Sequence, residues 1–212
     1  MWCPESGRMR RMEELRGANA VEHGDSLVRR MVRVGFLGAA GALLMILMEV
    51  PLLPHAPYLK WDAGDIPALL GAFSMGPAAG ILIEAVKNLV WQLTGKNSTG
   101  VVGFSASFLA GATLCFTAGL VYRFRRTKAG AIAGMAAGTV AMTAVMCAAN
   151  AYVFFPLWGI KGDAVAKALI GAAVPFNLLK GALTSTITFL LYKRVKRYLG
   201  GPGTLAGRGG SW

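Results

Sequence analysis

Charge is what this sequence has least of. Only 15% of its 212 residues are Asp, Glu, Lys or Arg, against about 25% in an ordinary soluble domain. Acidic side chains are the scarcer kind, 10 against 22 Lys+Arg, which leaves a balance of +12. Histidine occurs twice, His23 and His55, far apart and outside the apolar runs. The three cysteines, Cys3, Cys115 and Cys147, have no metal-ligand spacing, and two of them sit in apolar runs as small packing residues. There is no HExxH helix, no GxSxG elbow and no Walker phosphate loop. Ser105 and Ser107 have no histidine base near them in the apolar runs, so hydrolysis would need a Ser–Lys dyad with Lys87 or Lys180. The expectation is a protein that is not an enzyme and carries no metal or resident cofactor. Residues 1–26 lack an apolar core of the secretory kind and read as a disordered cytoplasmic tail, with Met9 and Met12 as alternative starts.

What remains is apolar. Hydrophobic residues make up 55% of the chain, with a mean hydropathy of +0.52. The basic residues flank the apolar runs instead of covering a surface, which argues for a membrane and against nucleic acid. The chain reads as an all-α membrane protein of six transmembrane helices. Asp25-Ser26 caps the first, 27–49, and Arg29, Arg30 and Arg33 stand at its mouth. Pro51, Pro54 and Pro57 make the next stretch a structured loop. A segment at 66–75 is too short for a regular span and enters obliquely. Gly76-Pro77 breaks the chain before a third helix, 77–95. Helices at 101–122, 129–155 and 164–192 follow. The unit at 27–193 is thus a single transmembrane domain, and 194–212 is a basic, Gly-rich cytoplasmic tail. Sixteen of the 22 Lys and Arg fall on the N-terminal segment, the Arg123–Lys128 loop and the C-terminal tail. Only Lys60, Lys96, Lys161 and Lys167 fall on the opposite side. That bias places both termini in the cytoplasm, in a multi-pass arrangement of the cell membrane.

Six polar residues interrupt the apolar runs: Glu84, Lys87, Asn88, Asn150, Asn177 and Lys180. Glu84, Lys87 and Asn88 share one helix face, as do Asn177 and Lys180. Lys87 lies about 12 Å along the helix from its end, well inside a hydrocarbon core of about 30 Å. Polar groups at such depth face a partner or a cavity. Glu84 and Lys87 form either an intrahelical ion pair or part of a site; the asparagines either bond helices together or read a ligand. Amides and ammoniums beneath the aromatic loop of Tyr58 and Trp61 suit a neutral, flat ligand with a hydrogen-bonding edge. Gly35/Ala39 and Gly38/Ala42, at four-residue spacing, allow close helix approach, either inside the protein or to another subunit.

The stretch LPHAPYLKWDAGDIPALLGAFSMGPAAGILIEAVKNLV resembles the first loop through third helix of the riboflavin-specific S components of energy-coupling-factor vitamin importers. The resemblance continues through NSTG, RFRRTKAGA and the NxxK of Asn177 and Lys180, covering roughly residues 32–193. The Asp65–Pro77 block and EAVKN at 84–88 are its most specific parts. It implies six helices, riboflavin captured from outside, and assembly with a transmembrane coupling subunit and two ATP-binding-cassette ATPases of a prokaryotic plasma membrane. It implies that Asn177 and Lys180 hold the ring edge, that Asn150 is the family's fifth-helix asparagine, and that Glu84, Lys87 and Asn88 lie at the ribityl side. Tyr58 and Trp61 would cover the pocket, and Gly38, Ala39 and Ala42 would dock on the coupling subunit. FMN or another vitamin as ligand, and a stand-alone facilitator or a proton-coupled carrier using Glu84 and Lys87, are the alternatives. Family members usually carry GELANF after STG, whereas this chain reads VGFSASF, with Phe104 and Ser107 in place of an acid and an amide.

Overall fold

A computed structural model of the protein describes residues 27–54, 56–57, 59–95 and 99–199, with side chains through residue 192. The expected tail at 1–26, Tyr58 and residues 200–212 lie outside them. Helix α1 runs Leu27–Leu47. An antiparallel ribbon follows, β1 at Glu49–Pro51 and β2 at Lys60–Asp62, paired Glu49 to Asp62, Val50 to Trp61 and Pro51 to Lys60. Then come α2 (Asp65–Met75) and α3 (Pro77–Leu93). Helix α4 spans Gly100–Phe124, α5 spans Lys128–Leu157, and α6 runs from Asp163 through Tyr192 to Leu199. The expectation of a purely helical chain is therefore corrected at one place: the proline-rich loop closes into a two-stranded ribbon. Pro51 and Lys60 end it, since proline has no N–H to extend a ladder.

Among the described residues, four helices, α1, α4, α5 and α6, are long and apolar enough to cross a membrane. Helix α2 has 11 residues, and α3 has 17 and carries Glu84 and Lys87. The break between α2 and α3 is where Gly76 takes a φ of 100°, a conformation that favours glycine, and Pro77 opens the next helix. Helix α3 buries Ala79, Gly80, Ile83, Glu84, Lys87, Asn88 and Trp91. Their three- and four-residue spacing is one helix face. Leu82 and Leu89 on the other face stay exposed.

In a bilayer, helices associate through close contact of small residues. Helix α5 shows this against α4. A Cβ at Gly134 would come within 2.7 Å of the Ala118 carbonyl oxygen, and one at Gly138 within 2.9 Å of that of Leu114. The main core joins Leu37 of α1, Leu69 and Phe73 of α2, Ile83 of α3 and Tyr122 of α4. At its edge Tyr122 and Tyr192 share a hydrogen bond between their hydroxyls, linking α4 to α6.

Helices α5 and α6 are each interrupted by a π turn, Asn150–Phe154 and Leu169–Ala173. Each turn ends two residues before a proline, Pro156 and Pro175. Proline has no N–H and its ring clashes with the carbonyl four residues back, and a locally widened turn absorbs both.

Candidate ligand-binding site

The two π turns, the ribbon and the facing parts of α1, α3 and α4 line a partly open cavity of about 180 Å³. A single buried water needs roughly 10–15 Å³ by such a measure, so the space suits an organic molecule rather than an ion. Trp91 of α3, Phe154 and Phe155 of α5, Trp158 just beyond it, and Phe176 of α6 supply its aromatic wall. Met45, Met146 and Leu59 add apolar surface. Asn150, Asn177 and Lys180 stand among the lining residues with Glu49, Lys60 and Asp62. A flat apolar molecule with a polar edge fits that division.

Of the residues expected from the sequence, the structure brings Asn150, Asn177 and Lys180 together. Asn150 opens the π turn of α5. Asn177 donates its amide N–H to the Ala173 carbonyl at 2.8 Å, spending one donor on the π turn of α6. Ser107 also reaches the cavity, and its hydroxyl makes no hydrogen bond among the described residues. Phe104 is not in the lining; it stacks on Phe108, ring centroids 6.5 Å apart.

Glu84, Lys87 and Asn88 are placed differently. All three are fully buried and stand behind the wall, outside the cavity lining. Lys87 Nζ meets Glu84 Oε2 at 2.8 Å, hydrogen-bonds Asp65 Oδ1, and lies 4.0 Å from Asp62 Oδ1. Lys180 Nζ hydrogen-bonds Asp62 Oδ2 at 3.3 Å and lies 3.0 Å from Asp65 Oδ2. Asn88 donates to the Glu84 carboxylate at 3.2 Å. Two ammoniums and three carboxylates from β2, α2, α3 and α6 thus form one ion cluster. The Glu84–Lys87 ion pair, one of the two alternatives for these residues, exists as a part of it. Buried charges persist only when paired in this way. Two glycines make the room. A Cβ at Gly111 of α4 would run into the Glu84 carboxylate, and one at Gly64 would fall 2.9 Å from Lys87 Cδ.

Trp61 does not cover the cavity. Side chains alternate along a strand, so Lys60 and Asp62 face the cavity while Trp61 turns away and is buried with Ile66 and Leu70. Its indole N–H donates to Thr184 Oγ1 at 3.1 Å. The small residues of α1 also divide. Gly38 is buried, with a Cβ there meeting Val86, and Ala42 is 1% exposed. Ala39 and Gly35 face outward. Gly38 and Ala42 therefore serve packing inside the chain, because a three- or four-residue step returns them to the face that meets α3.

Asp62 and Asp65 had no assigned place in the site. Asp65 opens the most specific motif block, and that was the signal available for it. Trp91 follows Lys87 and Asn88 at four and three residues on α3, so its spacing was a second one.

A fold of this kind, a helical membrane bundle around a cavity walled by aromatics and edged by amides, is that of a membrane substrate-binding subunit. Residues 29–192 match the sequence profile of the family "ECF transporter, substrate-specific component", and the chain belongs to that family. It is 35% identical over 178 residues to the riboflavin transporter RibU of Staphylococcus aureus, covering 81% of this chain and 92% of that one. It is 29% identical over 181 residues to the riboflavin transporter FmnP of Bacillus subtilis, covering 81% and 94%. A solved S component of a bacterial ECF transporter superposes with a TM-score of 0.68 at 36% identity, over 82% of this chain and 98% of that one.

Proposed function

We propose that this chain captures riboflavin from outside the cell as the substrate-binding subunit of an ATP-driven importer. The observation that carries the reading is the cavity itself. Trp91, Phe154, Phe155, Trp158 and Phe176 offer flat apolar surface, and Asn150, Asn177 and Lys180 add two amides and an ammonium to the same lining. Riboflavin has a flat tricycle, one hydrogen-bonding edge and a polyol tail. Relatives named riboflavin transporters support the choice. Glu84, Lys87 and Asn88 act from behind, holding the polar side of the wall in place. A carrier working through Glu84 and Lys87 gains no support, since both are sealed in the ion cluster.

In this reading the domain at 27–193 crosses the membrane six times, with α2 and α3 completing the four long spans, and both termini are cytoplasmic. The chain has no ATP-binding loop, so the energy comes from two ATPases joined through a transmembrane coupling subunit that packs on the outward face of α1 at Gly35 and Ala39.

Riboflavin titration of the purified protein tests the ligand. Bound flavin loses fluorescence and colours the protein, and stoichiometric quenching is expected; no quenching by riboflavin would overturn the reading, while preference for FMN would move the ligand by one phosphate. In proteoliposomes, uptake is expected only with the partner subunits and ATP. On a cysteine-free background, Lys60→Cys and Lys161→Cys are expected to react with an impermeant thiol reagent in intact cells. Arg126→Cys is expected to react only after permeabilisation, and its labelling in intact cells would reverse the orientation.

A further inference from the structure

Lys180 is the one ammonium of the ion cluster that reaches the cavity, and a lysine on its own is a poor fixed donor. Its stem has four rotatable bonds and its head group no preferred direction. Something must hold it. Asp65 is fully buried and stands outside the lining. Its two carboxylate oxygens are divided between two lysines: Oδ1 accepts from Lys87, and Oδ2 lies 3.0 Å from Lys180 Nζ. The contact with Lys180 is a charge pair not aligned as a hydrogen bond; among the described residues, the aligned bond of that ammonium is to Asp62. An ammonium has three N–H groups, which leaves donors to turn toward the cavity.

The carboxylate of Asp65 is itself well anchored. Asp65 is the first residue of α2, where the helix dipole favours an acid. The next turns carry Ala68 and Leu69, both without exposure. Just before it, Gly64 sits so close to α1 that a Cβ would fall 2.6 Å from the Gly41 carbonyl oxygen. The backbone at 64–65 cannot shift without displacing α1 and the stem of Lys87.

We infer that Asp65 is a positioning residue of the site: lodged between Lys87 and Lys180, it fixes where the Lys180 ammonium points without touching the ligand. This rests on the proposed role of Lys180 in riboflavin binding. It differs from a merely structural part for Asp65, because its effect on binding must pass through Lys180.

The experiment is a double-mutant cycle read by riboflavin fluorescence quenching. Asp65→Asn keeps the shape and removes the charge, and is expected to weaken binding about tenfold or more, as for loss of a charge-assisted contact. Added to Lys180→Met, the same change is expected to shift affinity by less than about twofold, since residues that act as a unit are not additive. Asp65→Glu keeps the charge and is expected to recover most of the loss. If Asp65→Asn does not fold, Asp65→Glu carries the cycle, because its smaller effect must also vanish beside Lys180→Met. An equal loss with and without Lys180 would overturn the inference. A second readout needs no ligand. An amine-acylating reagent is applied to the detergent-solubilised protein, and Lys180 modification is read by peptide mass. Slow acylation in the wild type and faster acylation in Asp65→Asn are expected; equal rates would overturn the inference. If wild-type protein binds no riboflavin, the ligand assignment falls, and the acylation rates decide the role of Asp65 by themselves.

Discussion

Trp61 donates its indole N–H to Thr184 Oγ1 at 3.1 Å, joining residues 123 positions apart in the chain. The next residue on the strand, Asp62, bonds Lys180 at 3.3 Å. Lys180 and Thr184 are one turn apart on the same face of α6. Two neighbouring side chains of β2 therefore grip two successive turns of one helix, one contact bordering the cavity and one beneath it. The ribbon is clamped to α6 as well as laid over the site.

That clamp predicts a separation of stability from binding. Thr184→Val keeps the shape and leaves the Trp61 N–H without its acceptor, a cost of about 1–3 kcal/mol for a buried donor. Thermal unfolding followed by tryptophan fluorescence should show the loss. Riboflavin affinity should stay within about threefold, since neither residue lines the cavity. A loss of affinity with unchanged stability would mean that Trp61 touches the ligand after all.

The reach of the sequence differs between the two halves of this arrangement. Helix limits were legible because Gly-Pro breaks and basic clusters punctuate the apolar runs. Asn150, Asn177 and Lys180 were legible because an amide or an ammonium is costly in an apolar helix, so its presence there is a signal. Asp62 was not, because an acid in a loop is ordinary until folding brings it to a lysine 118 residues away. Asp65 lies 22 residues from Lys87 in the chain, a distance at which no helical periodicity relates them. The expected lid role of Trp61 failed for a related reason. The proline-rich loop reads as irregular, and only its pairing into a strand sends alternate side chains to opposite sides. The π turns leave their trace in Pro156 and Pro175, but proline marks a disturbance of a helix without saying which kind.

Asn177 and Lys180 test the ring-edge assignment. Asn177→Leu and Lys180→Met are each expected to cost about 1–3 kcal/mol of riboflavin binding, roughly five- to 150-fold in Kd. Asn177→Leu should also lower the Tm slightly, because the Asn177 amide holds the Ala173 carbonyl at the π turn. Flavin quenching titrations with thermal unfolding as control would measure both. Wild-type affinity in two folded variants would move the ligand edge elsewhere in the cavity.

Gly111 tests the ion cluster by volume. A methyl group there would occupy the place of the Glu84 carboxylate. Gly111→Ala should destabilise the protein by about 1–3 kcal/mol, the usual cost of overpacking. Next to Glu84→Ala the clash is gone, and the same substitution should cost little. A purely additive result in thermal unfolding would show that Glu84 has room to move aside.

Ala39 and Ala42 separate docking from folding on a single helix. Both are small and three residues apart, yet Ala42 is 1% exposed and Ala39 faces outward. Ala42→Leu would force added volume into a closed interior and should destabilise the isolated chain by about 1–3 kcal/mol. Ala39→Leu adds volume where there is only lipid in the isolated chain. Its stability and riboflavin affinity should remain those of the wild type. Within the assembled importer the outcome should reverse, because close approach of helices in a bilayer depends on small residues. Copurification of the coupling subunit and ATP-driven uptake should both fall for Ala39→Leu. The two measurements are needed together, since loss of uptake alone would also follow from misfolding. If Ala39→Leu retains full copurification and uptake, the coupling subunit packs on some other face, and Ala39 is an ordinary lipid-facing residue.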